Sequence, residues 1–325
     1  MSTIAVSDAN YVALDASSSI GLGHLMRTAG LRRLLAPPAR FTGRYEAQLT
    51  NDGLTVRRRL IGERNLSARL WVVDSGHVPE HVIRRRLSDP TLKVVWIRRG
   101  LFHAQQALIQ AGYLDFVDLV IEPSEAMPSP PDAFSAMAEA KGKLKRIGVC
   151  HAYQAAPAAD GPASGLVYLG LGGYEVEQRE RFDRLRRGLQ ERSMPFQWSA
   201  HGLRPVLDGY PVQRRVRISR SLTAKARASG AVLEAGYNSV YEALYLGIPT
   251  LLLANEGRGR EAQRARVAMA KAVSPLAFDE EDPADIAAWF DAVAAGTSRR
   301  RGAAGDGMMQ MKTLIEEVAA NGYAQ

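Results

Sequence analysis

The chain reads, from residue 231 to residue 253, Ala231-Val-Leu-Glu-Ala-Gly236-Tyr-Asn-Ser-Val-Tyr-Glu-Ala-Leu-Tyr-Leu-Gly247-Ile-Pro-Thr-Leu-Leu-Leu253. A short apolar run, typical of a buried strand, leads through a glycine turn into a segment of helical composition. Gly247 and the proline two residues later end the helix, and a second apolar run follows. Strand, loop, helix and strand in this order form a βαβ unit, so the stretch predicts a parallel sheet covered by helices.

The same alternation extends in both directions along the chain. Apolar runs without polar alternation indicate strands whose two faces are both covered by helices. We predict such strands at residues 11–15, 70–74, 93–97, 119–121 and 147–150, and again at 166–169, 196–200, 231–233 and 250–253. Helical composition occurs at residues 25–35, 79–87, 102–111, 177–192, 240–246, 259–271, 283–294 and 308–320. This pattern is typical of doubly wound α/β folds.

The length of the chain predicts two domains. A single hydrophobic core stops growing near about 250–300 residues, and this chain has 325. Residues 152–164 are small, polar and contain proline, which indicates an interdomain linker. We therefore predict an α/β fold with two Rossmann-like doubly wound domains facing across a cleft, residues 1–151 and residues 164–325. The last helix is a candidate to pack back on the first domain.

Composition narrows the partners. The formal net charge of +8 favours an anionic partner such as a nucleotide phosphate, and peripheral contact with an acidic membrane stays open. Nucleic acid is disfavoured, because basic residues are not interleaved with aromatic side chains that stack on bases. The one cysteine, Cys150, excludes a disulfide framework within the chain and reads as a small core residue. No signal-peptide pattern is present at the start, so we expect a cytoplasmic protein.

The first loop of interest follows the first predicted strand and contains Gly21, Gly23, His24 and Arg27. The glycines allow close backbone approach, and the helix that begins here directs N–H groups and its positive dipole end at an anion. His24 and Arg27 are three residues apart and share one helix face. A histidine here could accept a proton from a nucleophile or stabilise a leaving phosphate. The alternative is a tight structural turn with His24 as a solvated cap.

The second loop of interest enters the helix that follows Gly236. Asn238 or Ser239 is in a position to cap this helix, and Ser239 with Glu242 has capping-box spacing. The functional alternative assigns the helix start to a diphosphate and Glu242 to ribose hydroxyls, since one carboxylate accepts two hydrogen bonds from a diol. Residues 255–265 then form a glycine-bearing polar loop that enters the next helix.

Together these segments resemble nucleotide-sugar glycosyltransferases of the GT-B fold. The likeness is to the group that contains the peptidoglycan N-acetylglucosaminyltransferase and the nucleotide-sugar hydrolase of pseudaminic acid synthesis. The first loop resembles their Gly-x-Gly-His-x-x-Arg motif at Gly21, Gly23, His24 and Arg27. The second resembles their Gly-x-x-Ser-x-x-Glu-x-x-x-x-Gly-x-Pro block and its trailing glutamine at Gly236, Ser239, Glu242, Gly247, Pro249 and Gln263.

The resemblance implies a glycosyltransferase that uses a UDP- or dTDP-sugar, needs no metal or cofactor, and glycosylates a hydroxyl or amine acceptor. Glu242 would bind ribose, residues 236–239 the diphosphate, and Gln263 with Arg258 the transferred sugar, while His24 and Arg27 would act across the cleft. Tyr237 and Asn238 depart from the small residues that are usual there. A nucleotide-sugar hydrolase and a non-catalytic sugar-nucleotide-binding protein remain the alternatives.

Overall fold

The computed structural model describes residues 23–35, 45–58, 70–98, 104–125, 132–157, 163–171, 176–199, 210–255, 263–298, 301–302 and 305–321. The predicted strand at residues 11–15, together with Gly21 and Arg258, lies outside the described residues. Among the described helices, none combines the length and apolar character needed to cross a bilayer.

The first half of the chain contains a parallel sheet. Its elements are α1 (Gly23–Leu34), β1 (Tyr45–Leu49), β2 (Leu54–Arg58), β3 (Leu70–Asp74), α2 (Glu80–Ser88), β4 (Lys93–Ile97), α3 (Ala104–Ala111), β5 (Leu119–Pro123), α4 (Ala133–Ala140), β6 (Leu144–Ile147) and α5 (Ala152–Ala155). Strands β3, β4, β5 and β6 pair in this order, all parallel. Strands β1 and β2 form a separate antiparallel hairpin.

The second half contains a second parallel sheet. Its elements are β7 (Val167–Gly170), α6 (Val176–Glu191), β8 (Phe196–Ser199), α7 (Ser221–Ala226), β9 (Gly230–Glu234), α8 (Tyr237–Leu246), β10 (Thr250–Leu253), α9 (Gln263–Val273), β11 (Ala277–Asp279), α10 (Pro283–Ala294) and α11 (Gly307–Asn321). The strand order β8-β7-β9-β10-β11 reverses between β7 and β9. In such sheets ligands bind at this switch point, outside the carboxyl ends of the strands.

Helices cover both faces of both sheets, which confirms the predicted fold class. One face of the first sheet packs on α2, α3 and α4, and the other on α1 and α11, where Met311 and Ile315 are fully buried. The second sheet packs on α6 and α10 on one side and on α8 and α9 on the other. The last helix of the chain therefore completes the core of the first half.

The two halves are in direct contact. Leu25 and Met26 of α1 belong to one apolar cluster with Leu222 of α7 and Leu233 of β9. At the tip of the hairpin, the carbonyl oxygen of Asp52 accepts hydrogen bonds from the first turn of α7, 2.9 Å from the backbone nitrogen of Leu222. The apolar contact explains why α1, although it precedes the first sheet, is buried over most of its length.

Two sequence predictions of local structure were wrong. The strand expected at residues 147–150 is instead β6, because this strand ends the described sheet and exposes Lys145 and Arg146, so it lacks an apolar run. The stretch expected as a linker from residue 152 begins with the buried helix α5, whose Tyr153 donates a hydrogen bond to the carbonyl of Leu222 at 2.9 Å. Its small residues serve close packing rather than flexibility.

The start of α11 offers a test of how tightly this helix is seated. A methyl group on Gly307 would overlap the carbonyl oxygens of Gly148 and Val149, which are backbone atoms and cannot rotate away. We expect Gly307→Ala to lower the free energy of unfolding by about 1–3 kcal/mol, measured by urea denaturation. Gly76→Ala is the control, because its methyl group would meet no atom nearer than 3.8 Å. Equal stability of the two variants would contradict this packing.

Candidate functional site

The first predicted loop places its histidine and arginine in the protein interior. Helix α1 begins at Gly23, and His24 and Arg27 lie on its first turns. Their side chains are 4% and 1% exposed. A solvated cap on His24 is therefore wrong, because the imidazole is packed between the two halves.

Asp74, the last residue of β3, holds both side chains. Its Oδ1 lies 2.7 Å from Nδ1 of His24, and its Oδ2 accepts a hydrogen bond of 2.7 Å from Nε of Arg27. A second guanidinium nitrogen of Arg27 donates to Oδ1, so the arginine grips the carboxylate through two bonds. Sequence reasoning missed this residue, although an acid that closes a fully buried strand is a recognisable signal.

The charges around Asp74 fix its ionisation state. Burial by itself would raise the pKa of Asp74, but the charges and hydrogen bonds of Arg27 and His24 outweigh it and lower the pKa to about 2. For Arg27, burial opposes the charged form, yet the attraction of Asp74 leaves its pKa raised. An ionised Asp74 is a proton acceptor for Nδ1–H of His24. The pairing therefore makes Nε2 the basic nitrogen of the imidazole.

The second loop differs from the predicted capping pattern. Helix α8 begins directly after Gly236, which is its N-cap and makes no side-chain cap hydrogen bond. Capping by Asn238 or Ser239 was therefore a wrong prediction, since both residues already lie within the first turn. The end of the helix is as predicted: Gly247 has φ 64°, the left-handed conformation that favours glycine.

The two predicted loops meet. Asn238 accepts a hydrogen bond from Arg27 at 3.3 Å and donates one to the carbonyl oxygen of Gly23 at 3.1 Å. The hydroxyl of Tyr237 donates to the carbonyl oxygen of Ser124 in the first half at 3.0 Å. Because α8 starts where β9 ends, this contact lies at the switch point of the second sheet. The structure thus joins the carboxyl edges of the two sheets through the residues singled out from sequence.

Glu242 lies one turn further along α8 and is bound within its own half. Its carboxylate forms an ion pair with Lys225 of α7, and the two side chains are 3% and 11% exposed. Burial by itself would lower the pKa of Lys225, but the charge of Glu242 outweighs it and raises the pKa. The pairing explains why Glu242 does not form a capping box. Its role towards ribose stays a prediction, and a diol at this carboxylate has to displace the ammonium of Lys225.

Gln263 begins α9 and spans the ends of two neighbouring strands. Its Oε1 accepts a hydrogen bond from the backbone nitrogen of Asn255 at 2.8 Å, just after β10. Its Nε2 donates to the carboxylate of Glu234 at 3.0 Å, at the end of β9. Gln263 therefore lies at the carboxyl edge of the second sheet. Its assignment to the transferred sugar stays a prediction, as does that of Arg258.

The remaining chemistry-bearing candidates do not form a second centre. Cys150 is fully buried, and burial raises the pKa of its thiol to about 12, so it is a core residue. Across the part of the chain that the structure describes, no three histidine, cysteine or acidic side chains are grouped as metal ligands.

Comparison with known proteins places the architecture among solved glycosyltransferase structures. No family model and no curated protein matches the chain. Similar solved structures include MurG from Acinetobacter baumannii, at 12% identity over 95% of this chain and 99% of that chain, with a TM-score of 0.49. Spinosyn forosaminyltransferase SpnP is 12% identical over 96% of this chain and 94% of that chain, with a TM-score of 0.47.

A third similar structure is spinosyn rhamnosyltransferase SpnG complexed with thymidine diphosphate. It is 13% identical over 96% of each chain, with a TM-score of 0.46. At these identities and scores the likeness concerns the outline of the fold and does not bear on what this chain binds. Any functional inference has to rest on the site itself.

The depressed pKa of Asp74 predicts a specific acid sensitivity. An acid whose pKa is lower in the folded state stabilises the fold above its unfolded pKa, and this stabilisation is lost as pH falls towards the folded value. For Asp74 the window runs from 3.8 down to about 2. The shift of nearly two units corresponds to about 2 kcal/mol.

We expect the difference in unfolding free energy between the wild type and Asp74→Asn to shrink by about this amount between pH 5 and pH 2, measured by urea denaturation. Glu80→Gln is the control, because Glu80 is exposed on α2 and its curve should run parallel to that of the wild type. A difference that stays constant with pH would contradict the charge assigned to Asp74.

Proposed function

We propose that this protein is a glycosyltransferase that moves a sugar from a UDP- or dTDP-linked donor to a hydroxyl or amine acceptor without a metal ion. The observation that carries the proposal is the contact between the two loops, in which Arg27, next to His24, donates to Asn238 at the start of α8 at 3.3 Å. A base on one sheet therefore lies beside a helix N-terminus on the other. Displacement of a diphosphate from a sugar needs both groups at one point.

The donor is assigned to the second half. Residues 236–239 would receive the diphosphate, because the first N–H groups of α8 have no partners within the helix. Glu242 would accept the ribose hydroxyls once the ammonium of Lys225 has turned away. Gln263 and Arg258 would contact the transferred sugar at the edge of β9 and β10.

The chemical step is a displacement at the anomeric carbon. The acceptor oxygen attacks this carbon, the bond from carbon to the diphosphate oxygen breaks, and the acceptor proton passes to Nε2 of His24. Asp74 keeps the imidazole in the tautomer that has Nε2 unprotonated and stabilises the imidazolium that forms. The negative charge that develops on the diphosphate faces the α8 N-terminus and the guanidinium of Arg27.

A nucleotide-sugar hydrolase is the second candidate, and the same pair of residues supports it. An imidazole held by an aspartate activates water as well as a hydroxyl group, so the His24–Asp74 contact of 2.7 Å serves either nucleophile. A protein that binds the donor without turnover would share the second half of the site. The three functions differ in what consumes the donor.

A panel of nucleotide sugars separates these functions. The purified chain is incubated with UDP-, dTDP- and GDP-sugars in EDTA, with and without alcohol and amine acceptors, and nucleoside diphosphate release is followed. We expect release from a UDP- or dTDP-sugar that depends on an acceptor. Release at the full rate without acceptor would replace transfer by hydrolysis, whereas binding without release would identify a sensor. The absence of both binding and release would remove the proposal.

The role of His24 has its own test. We expect His24→Ala to lower the turnover number about 10²–10⁴-fold, the usual contribution of a general base, while the donor dissociation constant measured by calorimetry stays nearly unchanged. His77→Ala is the matched control, because His77 is exposed after β3 and should leave turnover unaltered. Equal turnover of the His24 variant and the control would exclude His24 as the base.

A further inference from the structure

A buried ion pair joins the two halves beside the proposed donor site. Arg266 of α9 has a fully buried side chain, and Glu125, which follows β5 in the first half, is 2% exposed. Two guanidinium nitrogens of Arg266 contact the two carboxylate oxygens of Glu125 at 2.7 and 3.2 Å. The hydroxyl of Tyr241 on α8 donates to the same carboxylate. The first half therefore inserts an anion between two helices of the second.

Arg266 is aligned with the start of α8. A third nitrogen of its guanidinium donates to the carbonyl oxygen of Ala235 at 3.1 Å, directly before Gly236, the N-cap. The same guanidinium lies 5.6 Å from the centre of the Tyr237 ring. A buried cation is thus held next to the segment to which the proposed function assigns the donor diphosphate.

The chemistry of the pair suits either a carboxylate or a phosphate. The planar fork of an arginine binds two oxygens of a carboxylate or of a phosphate in the same manner. Removing a buried guanidinium from water is costly unless an anion compensates it. In the described arrangement the compensating anion comes from the opposite half, so the pair also holds the halves together.

We propose that Glu125 is an intramolecular stand-in for the donor diphosphate, and that the two anions compete for Arg266 and Tyr241. This inference rests on the proposed function, whose diphosphate site it deepens by adding Arg266. A donor that binds Arg266 displaces Glu125, releases the first half from α9 and thereby couples loading of the donor to movement of the halves. The nucleoside part of the donor does not take part in this competition.

The first half contains a matched pair without this role. Arg98 and Glu122 form a buried ion pair at 2.6 Å, and Asp132 and Gln110 complete it within the first half. Glu122→Gln removes one buried carboxylate charge, as Glu125→Gln does, but leaves the contact between the halves intact. The comparison separates the loss of an ion pair from the removal of a competitor.

The test measures the affinity of wild type, Glu125→Gln and Glu122→Gln for UDP, dTDP and the matching nucleosides by calorimetry. We expect Glu125→Gln to bind the diphosphates about tenfold more tightly than the wild type, while nucleoside affinity and the Glu122→Gln control change by less than about twofold. Arg266→Gln should lose the preference for the diphosphate over the nucleoside. Unchanged diphosphate affinity in Glu125→Gln, or an equal gain for nucleoside and diphosphate, overturns the competition.

Hydrogen exchange of the wild-type chain gives a second measurement that does not depend on the folding of any variant. Saturation with the diphosphate should speed exchange in the peptide that ends at Glu125 and leave the peptide of α4 unchanged. Unaltered exchange in the first peptide, at a concentration where calorimetry shows binding, overturns the competition but leaves the proposed function standing. If neither wild type nor Glu125→Gln binds a nucleoside diphosphate, the proposed function falls, and the competition with it.

Discussion

The carboxylate of Asp74 lies at the end of a buried strand and is shared by an imidazole and a guanidinium that are themselves buried. None of the three groups is tolerable alone in this environment, because an unpaired buried charge costs several kcal/mol. Their mutual contacts fix α1 relative to β3. The remaining donor capacity of Arg27 is directed at Asn238 in the other half. The interaction that orients the proposed base therefore also sets the distance between the two sheets.

The contact between the halves is dense rather than open. Tyr237 and Tyr241 of α8 belong to the same apolar cluster as Val95 of β4 and Met311 of α11. Burial raises the pKa of Tyr237 well above its ordinary value, so its phenol stays a neutral donor to the first half. A ligand at the start of α8 has to replace these contacts. Binding and separation of the halves are consequently one process with one free-energy balance.

Sequence reasoning succeeded where burial is complete on both faces of a strand. Strands β3, β4 and β10 lie at the residues predicted for them, because a continuous apolar run is what a covered parallel strand requires. It failed at β6, whose side chains are exposed at the end of the described sheet, and it missed the hairpin of β1 and β2, whose short strands carry mixed polar residues.

The site was predictable only in its local motifs. Glycine turns and helix starts are read from neighbouring residues, so His24, Arg27 and Gly236 could be singled out. Asp74 and Lys225 could not, because their partners are distant in the chain and only the fold brings them together. The same is true of Glu125 and Arg266, which are 141 residues apart. Long-range pairing is decided by topology, which local patterns do not contain.

The buried arginines show how the basic character of the chain is used. Arg84, on the surface of α2, pairs with Glu80 of its own helix, an exposed contact that contributes little to stability. Arg27 and Arg266 instead lie on either side of the Tyr237 ring, at 5.8 and 5.6 Å from its centre. Each is compensated by a carboxylate of the first half. Two buried cations at one helix start, both neutralised from across the interface, make the local charge depend on how the halves are arranged, so an anionic ligand and the closed interface draw on the same two guanidinium groups.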